Sequence, residues 1–135
     1  MEKYFVTYAQ SLVLKKLGFD MPCFRYVYIG DTGNNVNRYE EVVPSRAINY
    51  NHDSLCISQP LKSQVFEWAR KEYRIISVID FYCDNDEWED TMYEVRISEF
   101  KHFKTHDSFV QSEYKSYEEA ESTCIDKLIE IIKNK

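Results

Sequence analysis

Residues 75–100 read IISVIDFYCDNDEWEDTMYEVRISEF, and this stretch decides the fold. Between Thr91 and Phe100, apolar residues alternate with polar ones, which predicts an antiparallel strand with one buried face. Between Ile75 and Cys83, apolar residues occupy both faces, which favours a central strand covered on both sides. The acidic segment that joins them predicts a turn, so the whole stretch is expected to form a hairpin.

A second hairpin is predicted upstream. Cys23 to Ile29 is rich in aromatic and β-branched residues, as strands are. The segment GDTGNN, residues 30–35, is a strong turn signal, and a return strand is expected from Val36 to Val43. Residues 45–59 show no clean period and are expected to form a surface connection. Residues 101–115 are ambiguous, and they suggest a short edge strand near Phe109.

Three helices are predicted from their end signals and apolar stripes. The first begins with a capping box formed by Thr7 and Gln10, and it ends before Gly18, which suits a left-handed C′ position. The second is expected from about Pro60 to Tyr73. The last opens with a second capping box at Ser116. Its apolar residues recur at helical spacing: Ala120, Cys124, Ile125, Leu128, Ile129 and Ile132.

Together these elements predict an α+β fold in the order α-β-β-α-β-β-α, with an antiparallel sheet of about four strands and three helices. The 135 residues fit a single domain, residues 1–135. A hydrophobic fraction of 44%, with only three glycines and three prolines, excludes a disordered or linker-rich chain.

The cysteines indicate the compartment. The four of them form no CxxC pair, and no secretory signal is visible, so we expect reduced thiols in a cytoplasm. No apolar run approaches the roughly 18 residues of a transmembrane helix, so no membrane partner is expected. Nothing in the sequence fixes the oligomeric state.

The most acidic segment is the leading candidate for a binding site. Carboxylates crowd around one tryptophan there, and the candidate residues are Asp84, Asp86, Trp88, Glu89 and Asp90. A hard cation takes such oxygen ligands, but the glycine that a calcium loop needs is absent, so a solvated hairpin turn that keeps the sheet edge from pairing is favoured over a cation site. The alternative is that the same charges meet a basic surface of a protein partner.

One basic cluster offers an alternative, namely a nucleic-acid-binding surface on the second helix. Its members are Lys62, Arg70, Lys71 and Arg74. Basic residues interleaved with aromatic ones can hold a single strand. However, the neighbouring Trp68 and Tyr73 are needed in the core stripe, and the net charge of -6 opposes a broad phosphate-binding surface.

Two weaker constellations complete the candidate sites. His102 and His106 have a spacing that places two imidazoles on one metal ion if the segment is helical, but no third ligand is marked. The segment from His52 to Cys56 contains a histidine, an aspartate and a cysteine without any nucleophile motif. The sequence therefore predicts no catalytic residue and no cofactor.

Three stretches carry a resemblance to a known family. They are LKKLGFDMPCF (Leu14–Phe24), QPLKSQVFEWARKEY (Gln59–Tyr73) and YKSYEEAESTCIDKLIEIIKNK (residues 114–135). These stretches resemble small uncharacterised proteins encoded in prophages and mobile elements of gut bacteria. The resemblance implies a bacterial cytoplasmic setting and an accessory role, and it brings no activity that could be transferred.

The function predicted on these grounds is that of a non-enzymatic accessory protein of a prophage or mobile element that binds another protein. A nucleic-acid-binding module that uses the basic patch on the second helix is the alternative. A metal-dependent enzyme built on His102 and His106 is the third hypothesis.

Overall fold

A computed structural model describes residues 2–29, 38–42, 47–83 and 91–135, without the side chains of residues 38–41. The chain is α+β, as predicted, and it divides into two compact units, residues 1–65 and 66–135. The elements in chain order are α1 (Tyr8–Lys16), β1 (Arg25–Ile29), β2 (Arg38–Val42), β3 (Cys56–Ser58), α2 (Lys62–Tyr73), β4 (Ile75–Cys83), β5 (Thr91–Lys101), β6 (Lys104–Tyr114) and α3 (Tyr117–Lys133).

The first unit contains α1 and an antiparallel sheet with the strand order β2-β1-β3. Val27 lies at the centre of this sheet, opposite Glu40 on one side and Ile57 on the other. The predicted hairpin of β1 and β2 is therefore confirmed, although its turn lies outside the described residues. The buried apolar side chains of this unit include Val6, Leu14, Phe19, Cys23, Val27 and Ile57.

Both predicted ends of α1 are confirmed by hydrogen bonds. The Thr7 hydroxyl accepts from the backbone N–H of Gln10 at 3.2 Å, and the Gln10 carbonyl oxygen accepts from the Thr7 N–H at 2.8 Å. At the other end Gly18 has a φ of +84°, and the N–H of Phe19 donates to the Leu14 carbonyl at 3.0 Å. This is the Schellman ending that a glycine at C′ allows.

Residues 47–59, the described part of the predicted surface connection, do not form a simple surface loop. They include a turn of 3-10 helix, Tyr50–His52, and the strand β3, whose three residues are all buried. Polar side chains hold this segment in place: the Asn51 amide donates to the Phe19 carbonyl and accepts from the Ser58 N–H, both at 2.9 Å. Anchoring by polar side chains leaves no hydrophobic period, which is why the sequence pattern did not predict the 3-10 turn and β3.

The second unit is a three-stranded antiparallel sheet, β4-β5-β6, with α3 packed against one face. The predicted apolar stripe of α3 is confirmed, since all six of its residues are buried. Opposite them, Val95 and Ile97 of β5 are fully buried, as the alternation predicted. The Ser116 hydroxyl accepts from the Glu119 N–H at 3.2 Å, but the Glu119 carboxylate accepts from Lys115, so only half of the predicted capping box forms.

Strand β4 is not central, as its two apolar faces suggested. Among the described strands it pairs with β5 alone, and Ile76 and Val78 are 40% and 47% exposed. One face of β4, with Ile75 and Ile79, points toward α3, while the other face is open. The apolar character on both sides therefore does not reflect burial on both sides.

The predicted order and the single sheet of about four strands need a correction. The described chain has the order α-β-β-β-α-β-β-β-α, with six strands in two sheets of three. The predicted order lacks β3, which is too short to show a period, and β6, which the sequence suggested only as a short edge strand near Phe109 and most of which is exposed. Strand β6 also contains two register shifts against β5, and these interrupt any alternation.

Candidate functional site

The leading sequence candidates cannot be placed in the structure. Asp84, Asp86, Trp88, Glu89 and Asp90 lie outside the described residues. They follow β4 and precede β5 in the sequence, and their role as a binding site remains a prediction. The candidate surfaces within the described residues lie on the sheet formed by β4, β5 and β6.

The sheet of the second unit has one face that α3 leaves uncovered, here called the open face. Directly opposite residues of antiparallel strands share a face, so the register identifies its members. Val78, Arg96 and Val110 form one row across the three strands, and Asp80 lies opposite Glu94 in the next row. The open face is defined here by Ile76, Val78, Asp80, Glu94, Arg96 and Val110.

The open face combines exposed apolar side chains with an excess of carboxylates. Val78 and Val110 are each 47% exposed on either side of Arg96. The Arg96 guanidinium donates to the Glu94 carboxylate at 2.9 Å, and this neighbour raises the pKa of Arg96. A depression of about 290 Å³ lies between Val78, Asp80, Glu94 and Arg96. One cation thus faces at least two carboxylates here.

A different surface forms where β5 turns into β6. His102 and Phe103 make a two-residue turn with φ values of 52° and 63°, so both adopt the left-handed conformation of a type I′ turn. Asparagine and glycine normally occupy such positions, because a side chain is strained there. The Phe103 ring is 95% exposed, more than any other large apolar side chain among those described.

Positive charge gathers around this turn. Lys101 and Lys104 lie directly opposite each other as the closing pair of the hairpin. The Glu99 carboxylate accepts from the ammonium groups of Lys101, at 2.8 Å, and of Lys135. These two hydrogen bonds lower the pKa of Glu99. We call Arg74, Lys101, Phe103, Lys104 and Lys135 the basic end of the second unit.

The predicted basic cluster on the second helix is only partly brought together. Arg70, Lys71 and Arg74 lie at the C-terminal end of α2, whereas Lys62 lies at its beginning, in the first unit. Lys71 is paired with Glu67 at 2.6 Å, one turn earlier. Arg74 follows the helix directly and belongs to the basic end.

The aromatic residues beside that cluster do not form a stacking platform. Trp68 is only 2% exposed, and its ring meets Tyr73 edge-on with 5.2 Å between centroids. Both belong to the helix stripe, as expected from their spacing. The most exposed aromatic ring at this end of the sheet is Phe103, and a phenylalanine in a polar segment carries no periodic signal in the sequence.

The predicted histidine pair lacks the helical geometry that a shared metal ion would need. His102 lies in the hairpin turn and His106 lies on β6 opposite Glu99, both exposed. No group of three or more His, Cys, Asp or Glu side chains suited to a metal ion occurs within residues 2–29, 47–83 and 91–135. The spacing alone was therefore misleading.

The thiol of Cys56 is not activated. Burial and the nearby Asp53 carboxylate raise the pKa of Cys56, which favours the neutral thiol over the nucleophilic thiolate. The Asp53 carboxylate accepts from the Leu55 N–H at 2.8 Å, and the Asn49 amide lies 3.3 Å from the His52 ring nitrogen. These contacts hold a turn together and form no nucleophile with a base.

The first unit contains a buried arginine that the sequence did not reveal. Arg25 is 6% exposed, and its guanidinium lies 5.0 Å from the centroid of the Phe5 ring. The Glu2 carboxylate approaches it at 3.7 Å. These residues line a cavity of about 400 Å³ together with Gln59, whose amide donates to the Val6 carbonyl at 2.8 Å. The Arg25 guanidinium thus contacts a carboxylate and an aromatic ring of the same unit.

Three further findings concern membrane-spanning helices, the cysteines and the relatives of the chain. No helix in the described part of the chain is both long enough and apolar enough to cross a membrane. All four cysteines are free thiols. Comparison of the chain with protein-family models, with curated proteins and with solved structures finds no match.

Proposed function

We propose that this chain is a non-catalytic binding protein that takes a protein partner on the open face of its second sheet. The observation that carries the proposal is the row formed by Val78, Arg96 and Val110, in which both valines are 47% exposed. An antiparallel sheet that faces water normally presents polar side chains on that side. Clustered apolar exposure instead marks an interaction surface.

The charges of the open face indicate the chemistry of the partner. Asp80 and Glu94 lie opposite each other beside the valines, and Asp107 accepts from the Ser98 hydroxyl on the same side of the sheet. Arg96 offsets only one of these three carboxylates. The complementary surface is therefore an apolar patch flanked by lysine or arginine, because like charges across an interface are repelled. The predicted role of the acidic segment Asp84–Asp90 fits the same basic partner.

The cellular setting of the protein is part of the same proposal. The resemblance to mobile-element proteins supports an accessory role in a bacterial prophage, and four free cysteines support a reducing cytoplasm. The raised pKa of Cys56 leaves the one candidate nucleophile predicted from the sequence in its neutral form, which supports binding over catalysis.

The test measures how tightly the chain binds a partner that it has captured. A tagged chain is used to capture proteins from a bacterial host lysate, and each captured protein is purified and titrated against the chain by calorimetry. Val78→Arg should weaken the direct interaction at least about tenfold, as expected for a central contact that is lost and a cation placed against cations. Val42→Arg is the matched control, because Val42 is an exposed strand valine in the first unit.

Two results would contradict this assignment. Unchanged affinity of the Val78→Arg variant would exclude the open face as the interface. Equal losses in the Val78→Arg and Val42→Arg variants would indicate a nonspecific effect of the added charge. A third variant, with Asp84, Asp86, Glu89 and Asp90 neutralised, tests the acidic segment by the same titration.

A further inference from the structure

We propose that the basic end of the second unit binds single-stranded nucleic acid, with one base stacked on the Phe103 ring and the neighbouring cations on its phosphates. This surface lies outside the open face and uses different residues. The inference does not depend on the protein partner proposed above.

The aromatic half of the site is the hairpin tip. Phe103 is 95% exposed and has a φ of 63°, a conformation in which a bulky residue is unfavourable. Its neighbour His102 is in the same left-handed region, with a φ of 52°. Neither side chain gains burial in return, so local stability does not explain this sequence at the turn. A flat apolar ring held outward offers a stacking surface for any base.

The cationic half of the site surrounds the hairpin. Lys101 and Lys104 are directly opposite each other, an arrangement that disfavours pairing of the strands. Arg74 is joined to the hairpin, because its carbonyl accepts from the Phe100 N–H at 3.0 Å. Neither Arg74 nor Lys104 forms a salt bridge with any residue that the structure describes. These cations therefore remain available to phosphate groups.

The balance of charge at this end remains positive. Glu99 is the carboxylate nearest to the turn in the strand register, and it is shared between Lys101 and Lys135. Residues 99–104 and Lys135 thus contribute one carboxylate and three cations, and Arg74 adds a fourth cation at the same end of the sheet. The chain as a whole has a charge of -6, so an anionic ligand gains only if it touches this end alone.

That condition favours a flexible single strand over a membrane or a duplex. An anionic bilayer offers no unstacked base to the Phe103 ring, and four cations, two of which already contact Glu99, lie at the lower limit of the basic clusters that hold such a surface. In a duplex the bases are stacked on each other, so their flat faces are closed to the Phe103 ring. A single strand offers both base faces and phosphates.

Fluorescence anisotropy with a labelled oligo(dT) of about 12 nucleotides tests the proposal on the full chain. Saturable binding is expected, and the association constant should fall with salt at a log–log slope of about -2, as for three phosphate contacts on a single strand. Phe103→Ala should weaken binding by about 5- to 150-fold, which corresponds to the loss of one stacked base. Phe103→Tyr should keep most of the affinity.

A second pair of variants tests the cations. Lys104→Ala should weaken binding and reduce the magnitude of the salt slope by about 0.7, the share of one phosphate contact. The matched controls are Phe24→Ala and Lys16→Ala in the first unit, where Phe24 is 38% exposed and Lys16 is exposed. Both controls should bind as the unmodified chain does.

Several results would overturn the proposal. These are the absence of salt-dependent binding to oligo(dT), binding that Phe103→Ala and Lys104→Ala leave unchanged, and losses that the control variants share. Tighter binding to a duplex of the same length would overturn the stacking role. Binding to vesicles containing phosphatidylserine without binding to oligo(dT) would assign the basic end to a membrane surface instead. Circular dichroism spectra identical to that of the unmodified chain show that the variants are folded.

Discussion

The carbonyl oxygen of Arg74 accepts a hydrogen bond from the backbone N–H of Phe100, with 3.0 Å between oxygen and nitrogen. Because Ile75 is paired with Glu99, this bond extends the ladder of β4 and β5 by one residue toward α2. Arg74 has a φ of 57°, which reverses the chain between helix and strand without a linker. As a consequence, the C-terminal end of α2 and the hairpin tip lie at the same end of the sheet.

The first prediction concerns the docking of α3. Leu128 is completely buried in the middle of the helix stripe. Leu128→Ala should lower the free energy of unfolding by about 2–5 kcal/mol, because it removes buried methyl groups and leaves a cavity. Denaturation by urea, followed by circular dichroism, measures the difference.

Glu130→Ala is the matched control on the same helix. Glu130 is exposed and carries one ion pair, with Lys127 at 2.8 Å. Its removal should change the free energy of unfolding by less than about 0.5 kcal/mol, as surface changes usually do. Similar small effects of both substitutions would mean that α3 is not packed on the sheet.

The second prediction tests the end of α1. Gly18 has a φ of +84°, and a Cβ atom added there would meet no atom within 4 Å. Gly18→Ala should therefore cost only the left-handed conformation, about 1–2 kcal/mol. Gly18→Asn should cost less, since asparagine tolerates this conformation. Equal stability of the alanine variant and the unmodified chain would exclude the Schellman ending.

Helix ends were the most predictable part of the fold, and the reason is local. The capping box of Thr7 with Gln10 and the glycine ending at Gly18 involve residues only a few positions apart. Their hydrogen bonds are fixed by the backbone of one helix, whatever else surrounds it. The stripe of α3 was equally clear, because a full set of buried positions recurs over 17 residues.

The two strands absent from the predicted order depend on backbone pairing and not on an apolar pattern of their own. Strand β3 depends on pairing with β1, and Asn51 anchors the segment that precedes it. Strand β6 is polar over most of its length and forms because β5 offers it a ladder of backbone groups. Neither strand shows an apolar period in the sequence. The partner of β3 lies tens of residues away, and most side chains of β6 face water.

The sequence predicted which types of residue form the candidate surfaces, but it did not predict which of them lie together. The sequence predicted a cluster of Lys62, Arg70, Lys71 and Arg74, but not the hairpin lysines that lie at the same end of the sheet as Arg74. The spacing of His102 and His106 suggested a weak metal-site candidate that depended on a helix, whereas these residues belong to a hairpin whose turn exposes Phe103. Only the register of the two strands shows which residues meet at one end of the sheet.

The third prediction concerns the reactivity of the thiols. Burial raises the pKa of Cys23 to about 12 and that of Cys124 to about 11, so both remain protonated near pH 8. Cys56 is also buried, and Cys83 alone is partly exposed. Iodoacetamide should therefore label Cys83 first in the folded protein, as peptide mass analysis would show. In denaturant without reductant, all four thiols should react, and fewer than four would contradict the free cysteines.

The last prediction is a pH dependence that arises at the basic end. Lys101 and Lys135 hold the pKa of Glu99 below its ordinary value of 4.5. A carboxyl whose pKa is lower in the folded state stabilises the fold above its unfolded pKa, and this contribution is lost as the pH falls through the folded pKa. At about pH 7, Glu99→Gln should therefore be less stable than the unmodified chain.

The difference between the two proteins should shrink steadily from about pH 4.5 downward, because both then carry a neutral side chain at this position. Urea denaturation at a series of pH values from about 7 to about 3 measures it. Glu118→Gln is the control, since Glu118 is an exposed carboxylate in the first turn of α3, away from Lys101 and Lys135 in the sequence. If the stability difference for Glu99→Gln stayed constant over this range, its cause would be packing rather than charge, and the two lysines would not be held by this carboxylate.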